Sequence, residues 1–294
     1  MPSLSSLPSR TCVVRRIRWT AAAAGFLVFA GVGVPGATPV ARTQDAVADS
    51  LVGLWIDSAG GMDAYLRFVS ASFTVTTTLY DTLSGRVKRT RPRYVWVRRG
   101  PHGEEARIER WESSGLIQQG FNGRDRSWAA LEGEILPDTA KDVREALYVS
   151  RDVFYWFGLP FKLRDPGVHL SYLGLRERPG GAWQGEDEPA QLYHAVGVSF
   201  GDGVGEHQDV FTYYFPPGRG FPYEVTYVEE GRTEINRLLW GATGWAGTDP
   251  GSDFLYPYVG RRDWITVSGK RTKALTISDV VINPEVRQEM FEVP

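Results

Sequence analysis

Cysteine is almost absent from this sequence, and so are several signatures of catalysis. Its 294 residues include a single cysteine, Cys12, which excludes a disulfide framework and a multi-cysteine zinc site. The four histidines occur in no His-Glu-x-x-His spacing, which excludes a helical zinc-hydrolase site. The formal net charge of −2 gives no electrostatic basis for binding nucleic acid. We therefore expect no cofactor, no catalytic residues and no nucleic-acid partner.

The sequence also lacks an apolar run long enough for a membrane span. Its longest run, residues 21–34, follows four arginines, and no acidic residue occurs before Asp45. Small residues and prolines follow this run, as in a signal peptide. We expect residues 1–41 to be an export signal and residues 42–294 to form one domain that is secreted or periplasmic. Cys12 precedes the apolar run, so it is not placed to anchor a lipid.

What the sequence does contain is a change of hydrophobic period. Apolar residues recur every three or four positions in 45–59 and 143–157, which predicts two helices, each ending at a glycine. From Ser70 onwards apolar and polar residues alternate between turn signals, which predicts an antiparallel sheet. The predicted strands are 70–80, 94–98, 106–111, 117–121, 127–131, 168–173, 192–200, 210–215, 223–229, 233–240, 264–267 and 274–282.

So large a twisted sheet tends to curl. We therefore predict an α+β fold in which a large curved antiparallel sheet, a half-barrel, has the helices packed on its concave side. Residues 241–256 form the one long irregular insertion and are a candidate lid. Residues 284–294 are predicted to form a short helical turn from which Phe291 packs back onto the body.

Aromatic side chains are the main indication of a ligand groove. They are frequent in the second predicted helix and alternate along several strands, where they either fill a core or line a groove. Two cations follow the helix and are placed to neutralise its C-terminal end or to meet a lipid headgroup at the groove mouth. The candidate ligand-binding residues are Trp96, Phe154, Phe157, Phe161, Lys162, Arg164, Tyr213, Phe215 and Tyr227.

A family resemblance accompanies these patterns. It rests on three features of the sequence: Gly60-Gly61 before the first strand, the segment 159–166 after the second helix, and the ending Asn283-Pro284 followed by Phe291. In this order of elements the chain resembles the LolA/LolB-like carriers of outer-membrane lipoproteins, as a secreted branch without a lipid-anchor cysteine. The resemblance implies a half-barrel that binds an acyl chain or another apolar ligand without chemistry, with envelope proteins as further partners. No local motif of this sequence aligns with the functional residues of these carriers, so the resemblance assigns no role to an individual residue.

Two alternatives stay open at this point. Strand alternation places His207 and Asp209 on one face, and with His194 from a neighbouring strand they would form a metal site for a hydrolase. The other alternative is an envelope scaffold whose cavity is filled by its own side chains.

Overall fold

Alternating stretches of this sequence pair into one large antiparallel sheet. The computed structural model describes residues 40–124, 126–179, 192–201, 204, 208–241, 243–248 and 253–293. Its strands are β1 (Ser70–Tyr80), β2 (Val87–Gly100), β3 (Gly103–Glu112), β4 (Gly115–Phe121), β5 (Ser127–Leu131), β6 (Glu134–Ile135), β7 (Val168–Glu177), β8 (Leu192–Phe200), β9 (Val210–Phe215), β10 (Glu224–Val228), β11 (Ile235–Trp240), β12 (Thr243–Gly247), β13 (Leu255–Val259), β14 (Arg261–Ile265) and β15 (Arg271–Ile282).

Thirteen of these strands form a single sheet. Its order is β6-β5-β4-β3-β2-β1-β15-β14-β11-β10-β9-β8-β7, so the first long strand pairs with the last one in the middle of the sheet. The sheet is curved and is not closed into a barrel. This confirms the predicted α+β fold class, and each predicted strand overlaps an observed one.

Three α-helices accompany the sheet: α1 (Val40–Ser58), α2 (Gly61–Arg67) and α3 (Lys141–Phe157). Short 3-10 helices follow at Phe161–Arg164 and Gln288–Met290. Helix α2 was not predicted, because Gly60-Gly61 was interpreted only as the end of a helix. Gly60 does end α1, with φ at 92°, but the chain re-enters a helical conformation directly afterwards. Among the described residues, no helix is long and apolar enough to cross a membrane.

The helices cover the face of the sheet that carries the core side chains. Along β1 and β2 this face presents Phe73, Val75, Val95 and Val97, all nearly inaccessible to solvent. Helix α3 packs on β3, β4 and β5 in one half of the sheet, and α1 contacts β7 at the opposite edge. The two helices thus lie over different halves, and the core fills the space between them and the sheet.

The predicted irregular insertion contains a β-hairpin. Strands β12 and β13 pair only with each other and form a second, two-stranded sheet. Tyr256 of β13 is fully buried and stacks on Phe68 and Phe157, with ring centroids 4.7 and 5.6 Å away. The expectation of an irregular loop was wrong for the hairpin residues that lie within 241–256, because strands that contain Gly and Pro give little alternation of apolar and polar residues.

The C-terminal segment packs on the other face of the sheet. Phe291 is fully buried there, and its carbonyl oxygen accepts a hydrogen bond from Trp128 Nε1 at 3.0 Å. The Arg98 guanidinium lies 4.7 Å from the Phe291 ring centroid. The predicted helical turn and the packing of Phe291 are both confirmed.

Candidate functional site

An aromatic network fills most of the space under the helices. Trp55 of α1 contacts Tyr213, Phe215 and Trp240, with ring centroids 5.4–6.0 Å apart. On the side of α3, Phe157 stacks on Phe73 at 4.4 Å. Rings at these distances contact each other directly. Most of the predicted groove is therefore occupied by the chain's own side chains.

A pocket of about 230 Å³ remains at one end of this network. It lies between the last turn of α1, the Leu159-Pro160 turn after α3, the end of β11 and the β12–β13 hairpin. The residues that line it are Trp55, Ser58, Ala59, Leu159, Pro160, Phe221, Trp240, Thr243, Trp245, Pro257, Tyr258 and Val259. We take this pocket as the candidate functional site.

The walls of the pocket offer apolar contact and little hydrogen bonding. Trp55, Leu159 and Trp240 are buried at its base, whereas Phe221 and Trp245 are 40% and 47% exposed. The Ser58 hydroxyl lies in the lining but donates to the backbone oxygen of Trp55 at 2.8 Å. The arrangement suits the burial of an apolar group, for which the main driving force is removal of apolar area from water.

Five of the predicted ligand-binding residues form the layer behind this pocket. Phe154, Phe157, Phe161, Tyr213 and Phe215 are each at most 2% exposed and belong to the core. Four of them adjoin the pocket walls: Phe157 and Phe161 flank Leu159-Pro160 in sequence, and Tyr213 and Phe215 contact Trp55. The structure brings them together, but none of them lines the pocket.

Trp96 and Tyr227 lie elsewhere. Trp96 alternates with the core residues Val95 and Val97 on β2, so its side chain is on the sheet face away from the helices. Tyr227 is on the helix-covered face, where its ring stacks on Phe211 at 5.4 Å and its hydroxyl accepts from Trp264 Nε1 at 3.0 Å. The strand prediction was correct at both positions, and neither side chain lines the pocket.

Lys162 and Arg164 are engaged by carboxylates within the protein. Lys162 is 9% exposed and forms ion pairs with Asp165 and with Glu104, whose Oε1 is 2.5 Å from Nζ. Burial favours its neutral form, but these two carboxylates together raise the pKa of Lys162 above its usual value. Arg164 Nη1 pairs with Asp49 Oδ1 of α1 at 2.5 Å. Through these ion pairs, Lys162 links the turn after α3 to Glu104 of β3, and Arg164 links the same turn to α1.

The two proposed metal ligands that the structure describes, His194 and Asp209, lie apart. His194 lies opposite Phe215 at one end of the β8–β9 pair, and its Nδ1 is 2.9 Å from the Tyr172 hydroxyl. Asp209 lies before the start of β9, at the other end of this pair, and accepts from the backbone N–H of Glu230. His207 is outside the described residues. Within the described part of the chain, no group of three metal-ligating side chains occurs.

One serine motif in the sequence indicates a nucleophile only if it lies in the right structural context. Residues 197–201 read Gly-x-Ser-x-Gly, the pattern of a serine nucleophile on a tight strand-to-helix turn. Here Ser199 lies inside β8, opposite His169 of β7, and the chain continues after Phe200 towards another strand. A nucleophile elbow is therefore not formed at this motif.

The aromatic residues that do line the pocket were not among the sequence candidates. Trp55 and Trp240 were assigned to a helix and a strand, and Trp245 and Tyr258 to the insertion or its flank. For Trp240, Trp245 and Tyr258, the feature of the sequence that could have indicated a site is the high density of tryptophan and tyrosine in residues 240–258. A pairing of this segment with the end of α1, 180 residues earlier, is not readable from local periodicity.

Comparison with known proteins gives structural matches only. No protein-family model matches the sequence, and no curated protein matches it either. A DUF1329 family protein from Desulfovibrio piger has 10% identity and a TM-score of 0.48, with coverage of 83% of this chain and 97% of that chain. An outer membrane lipoprotein-sorting protein domain from Vibrio parahaemolyticus has 11% identity and a TM-score of 0.46, with the same coverage.

Proposed function

We propose that this protein is a non-catalytic binding or carrier protein that holds an acyl chain, or an apolar group of similar width, in the pocket between α1 and the β12–β13 hairpin. The observation that supports this most directly is the pocket itself, with buried tryptophans at its base and half-exposed rings at its mouth. Each methylene group that enters such a pocket contributes about 0.8 kcal/mol, less the cost of ordering the ligand.

The size of the pocket limits what it accepts as it stands. Its volume of about 230 Å³ is below the ~300–1,000 Å³ of most small-molecule sites. A chain end fits this space, whereas a whole lipid requires the hairpin to move. Within the described residues the hairpin pairs with no strand of the main sheet, so we expect its displacement to leave the strand pairing of the main sheet intact.

The cellular setting belongs to the same proposal. Export through residues 1–41 would deliver residues 42–294 to the periplasm or the extracellular space, where an apolar ligand needs a carrier through water. Lipid is the proposed ligand, and envelope proteins are the proposed donors or acceptors. A mass spectrum of the exported protein that shows an N-terminus well beyond residue 44, or at residue 1, would contradict this part.

Ligand binding is tested by displacement of a dansyl-labelled fatty acid, with decanol as an uncharged competitor. We expect saturable uptake by the wild-type protein and about tenfold weaker binding by Trp245→Ala, a loss of ~1.4 kcal/mol. The matched control is Trp111→Ala, because Trp111 is 68% exposed on β3 and is not part of the pocket. Equal weakening in both variants would show that the probe does not bind in the pocket.

A scaffold filled by its own side chains is the second candidate function. The close stacking of Phe157 on Phe73 and of Tyr65 on Phe161, with centroids 4.4 and 5.1 Å apart, favours it. Native mass spectrometry and organic extraction of the purified protein separate the two candidates. Co-purifying lipid supports the carrier, whereas an empty protein that also takes up no probe supports the scaffold.

A further inference from the structure

A cluster of basic side chains lies between α3 and the middle of the sheet, apart from the apolar pocket. It consists of Arg93 on β2, Arg262 on β14 and Lys273 on β15. The Arg262 guanidinium carbon is 4.6 Å from the Trp156 ring centroid, and Lys273 Nζ is 3.7 Å from that of Trp264. Aromatic faces hold both cations in place, as expected for cation–π contacts of this length.

The cluster has more positive than negative charge. The carboxylate that acts most strongly on both Arg262 and Lys273 is Asp152 of α3. Its Oδ1 accepts from Trp156 Nε1 at 2.8 Å. Glu229 has a weaker effect on Lys273 and forms its own ion pair with Arg232, at 3.0 Å. Among the described residues, Asp152 is therefore the main carboxylate that acts on the three cations, and Glu229 acts more weakly on one of them.

Arg262 also has buried donors without acceptors. The residue is 4% exposed, and in the described part of the protein its Nε and Nη1 atoms are inaccessible and have no hydrogen-bond partner. Arg93 has one long contact, from Nη2 to Thr77 Oγ1 at 3.5 Å. Buried donors are nearly always satisfied in folded proteins, by the protein, by water or by a bound group. A guanidinium held in this way is placed to donate hydrogen bonds to an anion.

We propose that Arg262, with Lys273 and Arg93 beside it, binds an oxyanion: the phosphate or carboxylate group of a small molecule or of a lipid headgroup. A planar guanidinium presents N–H donors that match such groups, and the flanking ammonium supplies a second positive charge. Desolvation by burial lowers the pKa of Lys273 to about 8 and that of Arg262 to about 10. A bound anion offsets this cost, because it stabilises the charged form of both groups.

The edge of the cluster is partly exposed to solvent, and the cluster lies close to the apolar pocket. Lys273, Trp264 and Asp152 are partly exposed, although Arg262 is buried. Trp156 separates the cluster from the pocket-lining Trp240, with ring centroids 6.1 Å apart. The same face of the sheet therefore offers one amphipathic molecule an apolar site and an anion-binding site, but binding at the oxyanion site does not depend on occupation of the pocket.

The test is titration of the full chain with inorganic phosphate at pH 7 and constant ionic strength, followed by tryptophan fluorescence. Trp156 and Trp264 both contact the cluster and serve as reporters. We expect saturation for the wild type, at least tenfold weaker binding by Arg262→Gln, and several-fold weaker binding by Lys273→Met. The matched control is Arg261→Gln, because Arg261 is the neighbouring residue on β14 and pairs with Asp263 at 2.7 Å. It should bind as the wild type does.

The possible outcomes separate this proposal from the apolar one. Binding that is lost in both cluster variants but kept in Arg261→Gln supports the site, even if no fatty acid enters the pocket. Non-saturable binding, or equal binding by all variants, overturns it, also when the pocket does take up decanol. If Arg262→Gln does not fold, Lys273→Met alone must still weaken binding. Tighter binding of dodecyl phosphate than of phosphate identifies a lipid headgroup, and equal binding identifies a free anion.

Discussion

At the scale of single residues, burial sets the charge state of Lys273. Its Nζ lies against the Trp264 ring, and desolvation lowers its pKa to about 8, although Asp152 acts in the opposite direction. The ordinary pKa of a lysine is 10.5, so between pH 8 and 10.5 the unfolded chain binds more protons at this position than the folded chain. The free energy of unfolding therefore receives an increasing contribution from Lys273 as the pH rises through this window.

Replacement of Lys273 by methionine should remove this contribution. In phosphate-free buffer, Lys273→Met is expected to be more stable than the wild type at pH 7 by about 1–3 kcal/mol, since each pKa unit corresponds to ~1.4 kcal/mol. The difference should shrink as the pH rises from 8 to 9.5. Urea unfolding at several pH values measures it. A variant that is less stable at pH 7, with an unchanged pH dependence, would show that the contact with Trp264 outweighs desolvation.

At the scale of elements, the β12–β13 hairpin places a fully buried side chain, Tyr256, in the core. Tyr256 packs between Phe68, Phe157 and Phe161, and its hydroxyl has no hydrogen-bond partner in the described part of the protein. The hairpin has no strand partner in the main sheet. Its attachment is therefore a matter of ring packing and not of backbone hydrogen bonding.

We expect Tyr256→Ala to detach the hairpin and to cost about 3–5 kcal/mol, and Tyr256→Phe to be neutral or stabilising by up to ~1 kcal/mol. The reason is that alanine removes the ring from the core, whereas phenylalanine removes only an unpaired hydroxyl. Hydrogen exchange gives the measurement: amides of 243–247 and 255–259 should exchange faster in Tyr256→Ala, with β1 and β15 still protected. Uniform loss of protection over the whole sheet would contradict an independently detachable hairpin.

At the scale of the whole molecule, the first and the last strand of the main sheet in chain order, β1 and β15, pair at the centre of the sheet. Ala71 pairs with Ile282, and Asn283 adds side-chain bonds across the same junction. Its Oδ1 accepts from the backbone N–H groups of Val69 and Ser70, at 2.7 and 3.2 Å, and its Nδ2 donates to the Arg67 oxygen at 3.0 Å. Asn283 also has a φ of 52°, a conformation that asparagine tolerates better than most residues.

Substitution of Asn283 separates these two roles. We expect Asn283→Gly to lower the free energy of unfolding by about 1–2 kcal/mol, because only the side-chain bonds are lost. Asn283→Ala should lose a further ~1 kcal/mol, since alanine is strained at this φ. Thermal and urea unfolding of the three proteins should give the order Asn, Gly, Ala from most to least stable. An alanine variant as stable as the glycine variant would show that backbone strain contributes nothing here.

The elements of this protein could be predicted because their causes are local. Alternation in 70–80 and 210–215, and the helical spacing in 143–157, each depend on neighbours within a few residues. The packing of Phe291 was also predictable, since the single aromatic side chain of a polar C-terminal segment is more stable when it is buried. The hairpin was missed because its alternation contains Gly and Pro, and α2 was missed because a double glycine more often ends a helix than separates two.

The position and the lining of the candidate site could not be predicted from the sequence and were found only from the tertiary structure. The sequence by itself determined that a curved sheet would have an aromatic face covered by helices, because periodicity fixes which side chains share a face. Only the tertiary structure decided that Trp55, Trp240 and Tyr258 line the pocket while Phe157 and Tyr213 fill the core. Pairing of β14 with β15 places Arg262 near Lys273, and only the tertiary structure brings Arg93 of β2 and Trp156 of α3 to the same place. Which rings meet, and which charges remain without a partner, depends on strand order and helix position, and neither is encoded in any local segment.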